Sequence, residues 1–154
     1  MRFLKHLWPR PASTPAADAR DRGKAFQGQE AYDRAVASFT AAIRLDPADA
    51  AAYRSRGLAY EEQGQYERAI ADYTAALRLD PHSADAYFQR GNAYFARDDF
   101  DRAIDDYGQA LAHDPTLALA YYYRGLAYAE KGQQARAKAD RERAVKLDPA
   151  LSGL

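Results

Sequence analysis

The sequence contains no cysteine, which excludes disulfide bonds, thiolate catalysis and zinc sites with sulfur ligands. It has only three histidines, so we expect no metal site and no cofactor. Neither sign of charge is in excess, since 22 Lys and Arg balance 22 Asp and Glu, and this argues against nucleic-acid binding through bulk charge. No apolar run reaches the roughly 18 residues that span a bilayer. We therefore expect the 154 residues to form one soluble, cytoplasmic domain.

What the sequence does contain is an internal repeat with a period of 34 residues. Arg-Gly pairs, Asp-Pro pairs and two columns of alanine all recur at this step. The Arg-Gly pairs begin at Arg22, Arg56, Arg90 and Arg124. The Asp-Pro pairs begin at Asp46, Asp80, Asp114 and Asp148. We number the repeats as units one to four, which cover residues 16–49, 50–83, 84–117 and 118–151 and leave short terminal segments at 1–15 and 152–154.

Each unit has the pattern of two helices joined by a short turn. In unit two, the spacing of Tyr53, Gly57 and Tyr60 places them on one face of a first helix, and a similar face follows in a second helix. We expect Gly57 and Ala69 to mark the closest approach of the two helices. Proline ends each second helix, because it has no amide hydrogen and disfavours helix in the preceding residue. The predicted N-caps of first helices are Thr14, Asp49 and Ser83.

This pattern resembles the tetratricopeptide repeat family over residues 16–151. The residues that carry the resemblance in unit two, and recur in unit three, are Tyr53, Gly57, Tyr60, Ala69, Tyr73, Ala76 and Pro81. The resemblance implies an all-α fold, a right-handed α-solenoid of four 34-residue helix-turn-helix repeats. First helices would line a concave groove and second helices would form the convex side.

The aromatic columns fade at both ends of the array. Ala19 stands where unit two has Tyr53, and Arg141 stands where it has Tyr73. Similarly, Gln134 stands where unit two has Tyr66. Terminal repeats need a polar outer face, so we expect a self-capped array and a monomer.

Two charged columns accompany the repeat. The arginines of the Arg-Gly pairs form one, and Asp72, Asp106 and Asp140 form the other. We interpret them as a repeated ion pair between helices, with pairing inside one unit favoured because no unit follows Asp140. A ladder of arginines that binds anions is the alternative.

Four aromatic residues that the repeat pattern does not require lie on the first helices of units three and four: Phe88, Phe95, Tyr122 and Tyr123. Family geometry would place the second, fifth, ninth and twelfth residues of each unit in the concave groove. The resemblance thus implies a peptide-binding groove that includes Arg20, Lys24, Arg54, Leu58, Phe88, Asn92, Phe95, Tyr122 and Leu126. Such a surface suits an extended or helical peptide of a protein partner, with aromatic anchors and polar groups that fix its register. The alternative is that Phe88 and Tyr122 simply pack on each other.

Co-chaperones of this family hold the terminal carboxylate of heat-shock proteins in a clamp of Lys, Asn and Arg. With the clamp starting in unit one, its positions hold Arg20, Lys24, Ser55, Asp85 and Gln89. With the clamp starting in unit two, they hold Arg54, Leu58, Gln89, Leu119 and Tyr123. Neither register supplies the asparagines and the later basic residues, and Asp85 would repel a carboxylate. We therefore expect that the protein is not a carboxylate-clamp binder.

The remaining features give little sign of catalysis. His82 and His113 lie in successive loops and look solvated, and no phosphate-binding loop or catalytic triad is present, so we expect no catalytic residues and no enzyme. Residues 1–15 are basic and rich in proline, which predicts a flexible tail. Weak contact of this tail with a membrane surface, or folding of Trp8 back onto the array, is left open. The alternative function is a structural scaffold that assembles a complex through its convex face or its tail.

Overall fold

The computed structural model describes residues 14–27 and 31–153, so the predicted flexible tail and Trp8 lie almost entirely outside the described residues. Within these ranges the chain forms eight α-helices in four pairs, followed by a 3₁₀ turn at Pro149–Gly153. The helices are α1 Pro15–Gln27, α2 Tyr32–Leu45, α3 Ala50–Glu62, α4 Tyr66–Leu79, α5 Ala84–Phe95, α6 Phe100–His113, α7 Ala118–Glu130 and α8 Gln134–Leu147. In the part of the chain that the structure describes, none of these helices is long and apolar enough to cross a membrane.

The four helix pairs stack into an α-solenoid. Each second helix packs against the first helix of its own unit, and α2, α4 and α6 also pack against the first helix of the next unit. The first helices α1, α3, α5 and α7 also contact one another in succession. Helices that touch along a curved stack lie on its inner side, so the first helices line the concave surface, as the family resemblance implies.

The helix boundaries follow from local chemistry. The predicted caps are confirmed: Thr14 Oγ1, Asp49 Oδ1 and Ser83 Oγ accept hydrogen bonds from backbone amides of the first turn at 3.2, 3.0 and 3.2 Å. Each second helix stops at the aspartate before a proline. Asp46, for example, has φ −138° and ψ 92°, the extended geometry that a following proline favours.

In units one to three, the glycine of the Arg-Gly pair packs against an aromatic ring of the second helix. A Cβ atom on Gly57 would lie 2.7 Å from Cε1 of Tyr73, and one on Gly91 would lie 2.8 Å from Cε1 of Tyr107. The missing side chain at each of these glycines makes room for a fully buried tyrosine ring. In unit four, which has no such ring, a Cβ atom on Gly125 would lie 3.2 Å from the backbone oxygen of Ala137, the repeat equivalent of Ala69, as expected for a close approach of the two helices at these positions.

The predicted ion pairs form inside units two, three and four. Arg56 donates from Nε to Oδ2 of Asp72 at 2.7 Å and from Nη2 to Oδ1 at 2.8 Å. Arg90 binds Asp106 and Arg124 binds Asp140 in the same two-pronged geometry. These hydrogen bonds raise the pKa of all three arginines above the ordinary value. The three arginines are thus engaged by carboxylates of the protein, which supports the ion-pair interpretation over the anion-binding ladder.

The same arginines also link neighbouring units. Arg56 Nη1 donates to Thr40 Oγ1 at 3.0 Å, and Arg90 Nη1 donates to Thr74 Oγ1 at the same distance. In both cases the threonine belongs to the second helix of the preceding unit. The ion pairs of Arg56 and Arg90 therefore stabilise both their own helix pair and its contact with the preceding one.

Candidate functional site

The first helix of unit four presents an apolar face to solvent. Leu119, Tyr122, Leu126 and Ala129 follow one another at steps of three and four residues along α7. Leu119 is 42% exposed and Leu126 is 36% exposed, although leucine side chains are ordinarily buried. Several large apolar side chains exposed together on one helix face are typical of an interaction surface.

Aromatic rings connect this face to the first helix of unit three. We use the term aromatic cluster for Phe88, Phe95, Phe100, Tyr107, Tyr122 and Tyr123. The ring of Tyr123 stands at its centre, with ring centroids 5.9 Å from Phe88, 6.3 Å from Phe95 and 5.5 Å from Tyr122. The hypothesis that Phe88 and Tyr122 pack directly on each other is therefore wrong in detail, because both pack on Tyr123.

Tyr123 was noted in the sequence but was not included in the predicted groove. A signal for it exists in the repeat itself. The equivalent residues in the first three units are Asp21, Ser55 and Gln89, so this column is polar until it becomes aromatic in unit four. The ring of Tyr123 lies between α5 and α7, where it contacts Phe88 and Phe95.

Phe88 and Phe95 are half-buried, so one part of each side chain contacts the core and the other part is accessible from the predicted groove. The ring of Phe88 lies 5.9 Å from that of Tyr107, and the ring of Phe95 lies 5.4 Å from that of Phe100. Packing of this kind fixes the orientation of the exposed ring edges. The two side chains can therefore contact a ligand without first losing much rotational freedom.

Two hydroxyl groups reach from the core to residues of the groove. Tyr107 donates to Asn92 Oδ1 at 2.8 Å, and Tyr73 donates to Glu61 Oε2 at 2.7 Å. Burial raises the pKa of both tyrosines and of Glu61. The oxygen of Asn92, which is predicted to face a ligand, thus accepts a hydrogen bond from the core, and its amide donors are available to a ligand.

The basic end of the predicted groove is largely neutralised by the protein itself. Arg20 Nη1 lies 2.6 Å from Asp49 Oδ2, and Arg54 Nη1 lies 2.8 Å from Asp85 Oδ2. The second of these pairs joins α3 to α5. Lys24 is exposed, whereas Leu58 is half-buried against the core around Tyr73.

Comparison with known families gives matches along nearly the whole repeat region. A family model described as TPR repeat matches residues 23–64, 61–98 and 91–132. A second one, described as Tetratricopeptide repeat, matches residues 118–151. No curated protein sequence is significantly similar to the chain.

Solved structures with the same fold include MamA and the first TPR of Spaghetti (RPAP3). A crystal structure of MamA is 28% identical, covers 82% of this chain and 74% of its own, and has a TM-score of 0.79. The RPAP3 domain, bound to the HSP90 peptide SRMEEVD, is 25% identical, covers 76% of this chain and 93% of its own, and has a TM-score of 0.75. MamA 41-end from Desulfovibrio magneticus RS-1 is 24% identical over 90% of this chain and 78% of its own, with a TM-score of 0.83, and likewise shows the fold.

Proposed function

Because the chain belongs to the tetratricopeptide repeat family, we propose that it is a non-catalytic protein–protein interaction module that binds a peptide segment of a partner in its concave groove. The observation that carries this proposal is the exposed apolar face of α7, which continues into the aromatic cluster. The RPAP3 domain provides a precedent of the same fold, since it holds a peptide of HSP90.

The anchors of the partner segment are Phe88, Phe95, Tyr122 and Leu126. They lie on the first helices α5 and α7, and each keeps part of its surface accessible to solvent. Because the aromatic cluster already orders these rings, a ligand that covers them loses little side-chain entropy from the protein. Burial of such anchors contributes most of the affinity in interfaces of this kind.

Units one and two supply weaker polar contacts that set the register of the segment. Lys24 is exposed there, and Arg20 and Arg54 reach the groove with their charges already paired to Asp49 and Asp85. Because each of these charges is already neutralised by a carboxylate, it attracts a further charge only weakly. The proposal therefore requires no strongly acidic ligand at this end of the groove.

The groove does not hold a free terminal carboxylate as a clamp would. Arg54 is paired with Asp85, and Asp85 is the carboxylate that stands at a position where the clamp needs a cation. This part of the proposal is tested with the HSP90 peptide SRMEEVD, for which we expect no binding at micromolar concentration. Tight binding that is lost when the peptide's C-terminus is amidated would contradict it.

The main test is an affinity pull-down from a lysate of the source cells, read by mass spectrometry. We expect Phe88→Ala combined with Tyr122→Ala to lose the partners that the unchanged protein retains, by about tenfold or more, since each truncation removes a buried anchor. Circular dichroism establishes beforehand that the variant is folded, because Phe88 also packs on Tyr107.

A matched variant tests the scaffold alternative. Leu45 is 58% exposed and Leu79 is 42% exposed at the ends of the second helices α2 and α4, which gives the convex side an apolar surface of its own. Leu45→Ser combined with Leu79→Ser should leave the partners bound. If instead this variant loses them while Phe88→Ala with Tyr122→Ala keeps them, the groove proposal is wrong and the convex scaffold is correct.

A further inference from the structure

Each of the first three units buries one aromatic ring against the glycine of its first helix. Phe39, Tyr73 and Tyr107 are fully buried in this place. The core cluster that contains Tyr73 shows which side chains enclose the ring. Leu58, Tyr66, Ala69 and Ile70 come from the two helices of the unit, and Ala93 comes from the first helix of the next unit.

Unit four retains this site but lacks the ring. Arg141 occupies the position of Tyr73 and is exposed, and a Cβ atom on Gly125 would meet the backbone oxygen of Ala137 instead of a ring. A cleft of about 280 Å³ lies between α7 and α8 at this point. Its walls include the repeat equivalents of the side chains that enclose Tyr73, namely Leu126, Gln134, Ala137 and Lys138. We call this space the unit-four cleft.

The unit-four cleft is large enough for a phenyl ring, and Leu126, Ala129 and Ala137 give it apolar walls. Apolar cavities of about 150 Å³ are large enough to hold benzene. In units two and three the tyrosine hydroxyls bind Glu61 and Asn92. The equivalent residues in unit four are Ala129 and Leu126, which line the cleft and offer no side-chain acceptor for a hydroxyl. The cleft therefore suits phenylalanine better than tyrosine.

The charged residues at the rim of the cleft indicate which residues should flank the phenylalanine of a ligand. Lys138 and Arg141 line it, and among the described residues of its lining there is no carboxylate. The nearest acid partner, Glu142, lies 3.9 Å from Lys138 Nζ in an exposed pair, and such pairs contribute little. The two cations can thus form pairs with carboxylates of a ligand.

We propose that the unit-four cleft binds a phenylalanine side chain of a partner segment that carries aspartate or glutamate next to it. The phenyl ring takes the place that the rings of Tyr73 and Tyr107 occupy in their own units, and the neighbouring carboxylates pair with Arg141 and Lys138. This inference rests on the proposed function, because Tyr122 and Leu126 make the cleft the end of the groove.

An NMR titration of the full ¹⁵N-labelled chain tests the inference with a blocked seven-residue peptide that has Asp-Phe-Glu between Gly and Ser residues. We expect its addition to shift the backbone amide signals of Gly125, Leu126 and Ala137. The same peptide with Asp-Ala-Glu should bind at least about tenfold more weakly, since it lacks the ring that is buried in the cleft. A peptide with Lys-Phe-Lys should also bind more weakly because of the rim cations.

Variants of α8 separate the ring site from a general charge effect. Arg141→Phe supplies the missing ring from the protein itself, so we expect a melting temperature no lower than that of the unchanged chain and a loss of peptide binding of about tenfold or more. Arg141→Gln leaves the cleft open and should retain binding of the ring with less dependence on salt. Arg136→Gln removes the same charge outside the cleft and should leave peptide binding and its salt dependence unchanged.

Several results would overturn the inference. Equal binding of the Asp-Phe-Glu and Asp-Ala-Glu peptides would do so, and so would unchanged peptide binding by a folded Arg141→Phe variant. The absence of any shift of amide signals on addition of the Asp-Phe-Glu peptide would also overturn it. Shifts confined to α5 around Phe88 would reject the cleft and leave the groove function intact. Shifts of Gly125 and Ala137 on dilution without peptide would assign the cleft to a second copy of the chain. Shifts of the same two signals when residues 1–13 are deleted would show that the chain's own tail occupies the cleft.

Discussion

Replacement of Asp106 by alanine should lower the free energy of unfolding by about 3 kcal/mol. The Asp106 side chain is 6% exposed, and both of its oxygens accept hydrogen bonds from Arg90 at 2.7 Å. Its removal leaves a largely buried guanidinium with the hydroxyl of Thr74 as its remaining side-chain hydrogen-bond acceptor. An uncompensated charge in such a place destabilises a protein far more than the intact pair stabilises it, which is why the expected effect is large.

Urea denaturation followed by circular dichroism measures this effect, and the neighbouring residue supplies a matched control. Asp105 is an exposed acid on the same helix, so Asp105→Ala makes the same change of charge without breaking the pair. We expect its effect to stay within about 0.5 kcal/mol. Equal free energies of unfolding for the two variants would show that the ion pair does not stabilise the fold. Because the pair lies away from the groove, Asp106→Ala should leave ligand preference unchanged.

Replacement of Gly91 by alanine should destabilise the protein by about 1–2 kcal/mol, although alanine is the better helix former. The new Cβ atom would lie 2.8 Å from Cε1 and 2.9 Å from Cδ1 of Tyr107. That ring is fully buried, and its hydroxyl is held by Asn92, so it cannot move aside without losing contacts. Overpacking therefore outweighs the gain in helix propensity of about 1 kcal/mol.

Gly125→Ala is the matched control for Gly91→Ala, because both glycines occupy the same position in a first helix. At Gly125 the new Cβ atom would meet the backbone oxygen of Ala137 at 3.2 Å and Cβ of Asp140 at 3.3 Å, with no ring opposite. The smaller clash and the gain in helix propensity should nearly cancel. Thermal unfolding of the two variants compares them directly, and a Gly125→Ala variant as destabilised as Gly91→Ala would contradict the ring-packing explanation.

The fold could be predicted almost completely because the repeat presents each structural contact several times. The Asp-Pro steps predict where second helices end, and the Arg and Asp columns predict an ion pair that recurs with the same geometry in three units. A contact inside one unit needs only the period and the helical spacing. Both can be read directly from the sequence.

The contacts between units could not be predicted in the same way. The central position of Tyr123 depends on the rotation of α7 relative to α5, which no period of 34 residues specifies. The inward hydrogen bond of Asn92 lies inside unit three, but the equivalent tyrosine of unit two, Tyr73, binds Glu61 at a different repeat position, so no repeat column predicts it. The groove residues thus remain a prediction that the structure makes more specific: Phe88, Phe95, Tyr122 and Leu126 present the apolar surface, while Arg20 and Arg54 are paired.

The most direct test of groove binding is photo-cross-linking in the source cells from single positions of the chain. A benzophenone amino acid replaces Tyr122 in the groove in one variant and the exposed Leu45 on the convex side in another. We expect a discrete cross-linked partner from position 122 and no cross-link to the same partner from position 45. Cross-linking from position 45 alone would contradict the account and would place the interaction surface on the convex side.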